Sequence, residues 1–326
     1  MNTLLRRVLA VTFVGVLLYG LFAVYTGVQQ IGSSLARFHV VALLAALSLA
    51  CFNYLLRFAK WQYYLAQLDI RGVPWLDSLL VFLTGFVLTI TPGKVGEVFK
   101  SAVLAKTHGI AMERTASIVI ADRLTDVIGI VLLIVAGGAT FPKGLPWAVA
   151  GVAAVSVGLL FILWQTPARA LCDRLEARGG KLGGAVPKLR HALDSLRVLA
   201  RPSVLVVPAL LSVCAWGAEG TALYVLLRGF EQQVTLPLTA IVYASATLAG
   251  ALVPVPGGLG IVESLLRAGL LEWGHVEQGP ATAAMILVRL ATLWWAVVVG
   301  FLALFVLRLR FKKELTESDA ADAVIG

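Results

Sequence analysis

Charge is scarce in this sequence: 14% of its 326 residues are charged, while 59% are hydrophobic. Soluble domains run near 25% charged and about 45–50% apolar, so most of this surface must face something other than water. The mean hydropathy of +0.89 identifies that medium as a bilayer and excludes an intrinsically disordered chain. Cysteine is almost missing. Cys51, Cys172 and Cys214 are too few for a disulfide-stapled fold and form no CxxC metal or redox pair. The four histidines (His39, His108, His191 and His275) fall in separate connectors, so no metal cluster is legible. There is no GxSxG nucleophile elbow, and the glycine-rich Arg178-Gly179-Gly180-Lys181-Leu182 lacks the Walker spacing and the Ser/Thr after lysine. The expectation is a protein that is not an enzyme, needs no cofactor or metal and is not driven by ATP.

What is abundant is apolar length. A span of about 20 residues crosses roughly 30 Å of hydrocarbon, and six runs meet that length: 8–26, 40–58, 115–137, 146–165, 203–227 and 281–307. The first follows Arg6 and Arg7 but is not trailed by a small-x-small cleavage site, so it reads as a span and not a cleaved signal. Two shorter apolar stretches, 76–91 and 238–255, run into Pro92-Gly93 and Pro256-Gly257-Gly258, and each is followed by a second short segment, 94–107 and 259–272. A Pro-Gly break of this kind suits a hairpin that enters the membrane and turns back, buried in protein or lining a watery cavity.

The net charge of +9 reads as a basic membrane face, not as nucleic-acid binding. With both termini inside, segments 1–7, 57–75, 106–114, 166–202 and 308–326 hold 19 Lys/Arg, against only Arg37, Lys143 and Arg228 on the other side. Segment 166–202, with eight basic and three acidic residues, suits amphipathic helices on an anionic leaflet. The tail from 308 turns acidic and is expected to be disordered.

The two halves match each other. Cys51 and Pro74 align with Cys214 and Pro237 at an offset of 163, Thr91-Pro92-Gly93-Lys94-Val95-Gly96 with Val255-Pro256-Gly257-Gly258-Leu259-Gly260 at 164, and Arg123-Leu124 with Arg289-Leu290 at 166. Each half, 1–145 and 146–307, then reads as two spans, a Pro-Gly hairpin and a third span. Three crossings per half force the second half to run opposite to the first. The expected fold is therefore an all-α polytopic membrane protein built as an inverted repeat, an architecture that places substrate near the midplane between the repeats.

Ionisable residues inside spans cost roughly 2.5–3.5 kcal/mol each at a helix centre and mark candidate sites. Span 115–137 carries Asp122, Arg123 and Asp126; Arg289 lies in the last span and Glu219 deep in 203–227. Lys94, Glu97 and Lys100 recur every three residues after the first turn, and Glu263 and Arg267 sit four apart after the second, at ion-pair spacing. Arg123 and Arg289 occupy equivalent places in the repeats. Two guanidiniums converging there would grip a phosphate or other anion bidentately, or would serve as salt-bridge partners of Asp122, Asp126 and Glu97. The helices opening after each break, near Gly96 and Gly260, have free N–H groups for the same anion. Asn53, Arg57, Lys60, Trp61, Tyr63 and Tyr64 read as an interfacial belt. Trp294 and Trp295 read as packing or lipid-facing residues, and Gly217 and Gly220 as close helix contacts.

The strings Thr91-Pro92-Gly93-Lys94-Val95-Gly96-Glu97, Asp122-Arg123-Leu124-Thr125-Asp126 and Pro254-Val255-Pro256-Gly257-Gly258-Leu259-Gly260-Ile261-Val262-Glu263, with Arg289, resemble the flippase-like membrane-domain family that includes the transmembrane region of lysylphosphatidylglycerol synthase. The resemblance covers about 8–307 and implies an integral protein of the bacterial inner membrane that moves a lipid or lipid-linked headgroup between leaflets. It leaves anionic phospholipid, polyprenyl phosphate and hopanoid-linked lipid open as partners, with a lipid-biosynthesis enzyme or a second copy of the chain beside them. In the namesake a soluble aminoacyl-transfer domain follows the membrane region. None is expected within these 326 residues, and lipid lysinylation is not expected of them. The rival readings are an ion-coupled transporter of a soluble anion and a non-catalytic scaffold for a lipid pathway.

Overall fold

In the computed structural model, the described residues are 32, 34–89, 98–138, 180–253 and 255–311, with scattered positions between 146 and 176. The expected span 8–26, most of 146–165, the Pro92-Gly93 break with Lys94, Gly96 and Glu97, and the tail beyond 311 lie outside them. Among the described residues the fold is all-helical, without a strand. The helices are α1 (Val40–Gln67), α2 (Trp75–Thr84, extended by a 3-10 turn Gly85–Leu88), α3 (Phe99–His108), α4 (Met112–Gly138), α5 (Gly180–Leu199), α6 (Pro202–Gly229), α7 (Leu236–Leu252), α8 (Ile261–Glu272), α9 (Gln278–Arg289) and α10 (Trp295–Arg310). A π turn at Leu290–Trp294 joins α9 to α10 without a break.

Local chemistry sets the ends. Proline lies just before or within the first turn of α2, α6 and α7, where its missing N–H removes no helical bond. Gly109, left-handed at φ 66°, stops α3. Val253 ahead of Pro254 is extended, as the proline ring demands of its predecessor, and closes α7. Among the described residues, three helices are long and apolar enough to cross a membrane: α1, α6 and the continuous α9–α10 of 33 residues. At 1.5 Å per residue the last is about 50 Å long. α4 has the length as well, 27 residues, but carries the charged string at Asp122–Asp126.

Two packing relations position everything else. The broadest helix contact is α1 on α6, and it is antiparallel: Ala42 closes on Gly229, Asn53 Nδ2 donates to the Ala215 carbonyl at 2.8 Å, and Lys60 Nζ reaches Ser212 Oγ at 2.7 Å. α7 and α8 form a second antiparallel pair, with Gly250 against Val262 and Gly269 against Val242. The turn between them runs through Gly257, Gly258 and Gly260, all left-handed (φ 61°, 66° and 84°), which L side chains rarely adopt. The hairpin read from Pro256-Gly257-Gly258 is thus a helical hairpin. Its second arm, 12 residues or about 18 Å, is too short to cross a bilayer.

The pairings then alternate: α7 packs on α4, and α2 packs on α10. At Gly300 of α10 a Cβ would come within 2.7 Å of the Val87 nitrogen, so only glycine permits that approach. The apolar core has two large parts at opposite ends. One holds Trp61, Tyr64, Leu104, Leu199 and Leu307; the other holds Ile134, Leu227, Phe230, Leu238 and Val276. Connectors around 68–74, 109–111 and 200–201, and residue 311, therefore share the first end, and those around 230–235 and 273–277 share the second. Among the described residues, one part of the Lys/Arg count is corrected. Arg57 and Lys60 are not connector charges: Lys60 is wholly buried and Arg57 nearly so, which lowers the count from 19 to 17.

Candidate functional site

Between α1, α4, α6, α7 and α9 lies a cavity of about 150 Å³ lined by Arg57, Arg123, Asp126, Glu219 and Arg289, with Trp216 and Tyr243 among its apolar and aromatic walls. A single water needs only about 10–15 Å³ by this measure, so the space admits a group of phosphate size. Arg123 and Arg289, separated by 166 residues, do reach one cavity. Glu97 and Lys94 lie outside the described residues, as do Pro92, Gly93 and Gly96.

Eight ionisable residues sit in or beside this cavity. At roughly 2.5–3.5 kcal/mol each, unpaired, they would cost about 20 kcal/mol or more, beyond the net stability of a typical domain. They are paired, in three groups. In the first, Lys60 Nζ bridges Asp122 and Asp126 at 2.7 and 2.8 Å and also meets Ser212 Oγ, which itself lies 3.1 Å from Asp126. Arg57 Nη2 reaches the same carboxylates at 3.4 and 3.1 Å, with its guanidinium 5.7 Å from the Trp216 ring centre. Arg123 Nη2 stands 3.4 Å from both. Its side chain retains 28% exposure, the most of the three cations. Asp122 and Asp126 are one turn apart on α4, so both carboxylates face α1.

In the second group Arg289 Nε donates to Glu263 at 2.6 Å and Nη2 donates to the Gly257 carbonyl at 2.7 Å, tying α9 to the hairpin turn. Glu263 accepts from the Gly260 N–H at 2.7 Å. The expected Glu263–Arg267 pair is not what forms: Arg267 Nε instead donates to Thr282 Oγ1 at 3.1 Å. The reason is positional. Glu263 is the third residue of α8, where a carboxylate satisfies an orphan N–H and the helix dipole. The same contact occupies the Gly260 N–H that the sequence offered to an anion.

In the third group Tyr243 Oη donates to Glu219 and lies 3.3 Å from Thr292 Oγ1. Tyr54 Oη donates to the Thr292 carbonyl at 3.1 Å. Sequence reasoning had Glu219 but not its hydroxyl partners.

The aromatic belt expected around 53–64 is corrected as well. Trp61 and Tyr64 are core residues; Trp61 Nε1 donates to Ser78 Oγ at 3.1 Å, and Tyr64 Oη meets Thr125 Oγ1 at 3.0 Å. Lys100 Nζ lies 4.9 Å from the Trp61 ring centre, buried as well. A signal for these residues was present: Asn53, Arg57, Lys60 and Tyr64 follow the i, i+4, i+7, i+11 spacing of one helix face. Trp294 packs with Leu293 and Val297, as expected. Gly220 closes on Ala240, whereas Gly217 has only one side-chain atom at 3.9 Å and is not a close contact. Among the described residues no cluster of metal-ligating side chains occurs.

A multi-pass helical membrane protein with a charged cavity in its apolar interior is the class that this fold and site define. The sequence matches the lysylphosphatidylglycerol synthase transmembrane region over residues 8–300, and the chain belongs to that family. It is also similar to a UPF0104 membrane protein of Pyrococcus horikoshii, 24% identical over 331 residues that cover 92% of this chain and 96% of the relative. UPF0104 membrane proteins of Methanocaldococcus jannaschii (20% identical; 70% of this chain, 97% of the relative) and Methanothermobacter thermautotrophicus (24%; 73% and 76%) are similar too.

Proposed function

We propose that this protein is a lipid flippase or scramblase of the bacterial inner membrane, with both termini cytoplasmic, that moves an anionic lipid or lipid-linked headgroup between leaflets. The observation that carries the reading is the meeting of Arg123 and Arg289 at one cavity large enough for a phosphate group. The tails stay in the surrounding lipid while the headgroup enters. Glu263, Asp122 and Asp126 hold the two guanidiniums until the anion replaces them, and Glu219 stands beside as a proton carrier.

An inverted repeat supplies the motion. Supporting it are the equal lengths of α1 and α6, 28 residues each, and their antiparallel contact. The reciprocal packing of α2 on α10 and of α7 on α4 agrees with it. Under this reading the α7–α8 hairpin is re-entrant and rocks with α4, and α2 does the same with α10 from the opposite face. Under the same reading the end that holds the connectors around 68–74, 109–111 and 200–201 faces the cytoplasm.

The test is leaflet-to-leaflet movement of labelled lipids in proteoliposomes. The panel holds an anionic phospholipid, a zwitterionic one and a polyprenyl phosphate, with wild type beside the Arg123→Ala, Arg289→Ala double variant. Movement of an anionic lipid that the double variant loses while still inserted supports the proposal. No movement of any lipid, with or without a proton gradient, overturns it in favour of a soluble-anion transporter or a scaffold.

A further inference from the structure

The first ion-pair group is built unequally, and the inequality assigns different work to its cations. Lys60 holds both Asp122 and Asp126 at the shortest distances, 2.7 and 2.8 Å, is wholly buried and does not line the cavity. Arg57 reaches the same two carboxylates at 3.4 and 3.1 Å, lines the cavity and lies over the Trp216 ring. An arginine that shares its carboxylates with a tighter partner can turn away at reduced cost, because Lys60 still faces both Asp122 and Asp126 and neither is left without a cation, the main penalty for breaking a buried ion pair.

We propose that Arg57 is a third guanidinium ligand of the anion, beside Arg123 and Arg289, and that Lys60 is the fixed counter-ion that releases it. The inference rests on the reading of the cavity as an anionic-headgroup site. Three planar forks arriving from α1, α4 and α9 match the several oxygens of a tetrahedral phosphate better than the two of a carboxylate. The ligand class is therefore a phosphate ester. On binding, Arg57 turns its fork toward the anion while Lys60 and Ser212 stay on the two carboxylates. When the anion departs, it returns to them.

The experiment is equilibrium binding to the detergent-purified full chain, with dihexanoyl phosphatidylglycerol, dihexanoyl phosphatidylcholine and inorganic phosphate as separate probes and thermal unfolding read in parallel. The expected results are a loss of at least tenfold in affinity for the anionic probe in Arg57→Gln, with a melting temperature near wild type, and a smaller loss in Arg57→Lys. Asp122→Asn, which loosens the competing grip on Arg57, should bind at least as tightly as wild type. Unchanged affinity in Arg57→Gln, or weaker binding in Asp122→Asn with the fold intact, would overturn the inference. If Arg57→Gln does not fold, Arg57→Lys decides, since it keeps the charge but not the fork, and affinity equal to wild type contradicts the proposal. Phosphate binding as tight as the lipid's overturns the lipid reading alone, and Arg57 dependence is then measured on phosphate. Wild type that binds none of the probes overturns the proposed function and this inference together.

Discussion

At the scale of single residues, the account depends on which partner each buried charge keeps. Arg289 and Glu263 are bonded at 2.6 Å, with 8% and 1% of their side chains exposed. Removing one member of such a pair leaves the other uncompensated, at about 3–5 kcal/mol. Glu263→Ala should therefore lower the melting temperature in detergent sharply, and adding Arg289→Met should restore much of the loss; additive losses would contradict the pairing. The two glycines of α6 give a second, opposite pair of outcomes. A Cβ at Gly220 would meet Ala240 Cα at 2.9 Å, so Gly220→Ala should cost about 1–3 kcal/mol. At Gly217 the nearest atom is Leu133 Cδ2 at 3.9 Å, and Gly217→Ala should be neutral or stabilising. Equal melting shifts in the two variants would contradict the packing described here.

These residues also show what one sequence can reveal about a site. Arg123, Arg289, Asp126 and Glu219 stood out because charge inside an apolar run is rare and costly. Arg57 and Lys60 did not, because the apolar run closes near Phe58 while α1 continues to Gln67. That extra length turns a supposed boundary into interior, and the stripe Asn53–Arg57–Lys60–Tyr64 shows its function only once α6 and α4 pack against it. The Glu263–Arg267 spacing was equally ambiguous: a helix N-terminus and a distant arginine competed for the same carboxylate and won.

At the scale of elements, turn chemistry made the hairpin legible. Pro256-Gly257-Gly258 and Gly260 announce left-handed backbone, and the structure places φ values of 61°, 66° and 84° at the three glycines. Offsets of 163 to 166 between the halves align α1 with α6, which are 28 residues each. They could not say which helices touch, because contacts between distant elements leave no mark in local periodicity. The antiparallel contact of α1 with α6 is the element-level claim most open to test. His39 and Glu231 lie at the same end, 3.6 Å apart and well exposed. In a background with Cys51, Cys172 and Cys214 replaced, cysteines at 39 and 231 should cross-link with a short bifunctional maleimide, while cysteines at 39 and 201 should not. Linking of 39 to 201 would mean a parallel arrangement.

At the scale of the whole molecule, the cavity, the α7–α8 hairpin and the cross-packed helices form one proposal: a headgroup passage between two halves that run in opposite directions. A purely structural ionic core would keep the same pairs sealed, so access decides between them. Thr247 lines the cavity and is partly exposed. The most direct measurement is labelling of Thr247→Cys, in the cysteine-free background, by a charged membrane-impermeant thiol reagent applied to each face of sealed vesicles. A passage that opens alternately predicts modification from both faces, with anionic lipid changing the balance between them. Modification from one face only, or from neither, would contradict it.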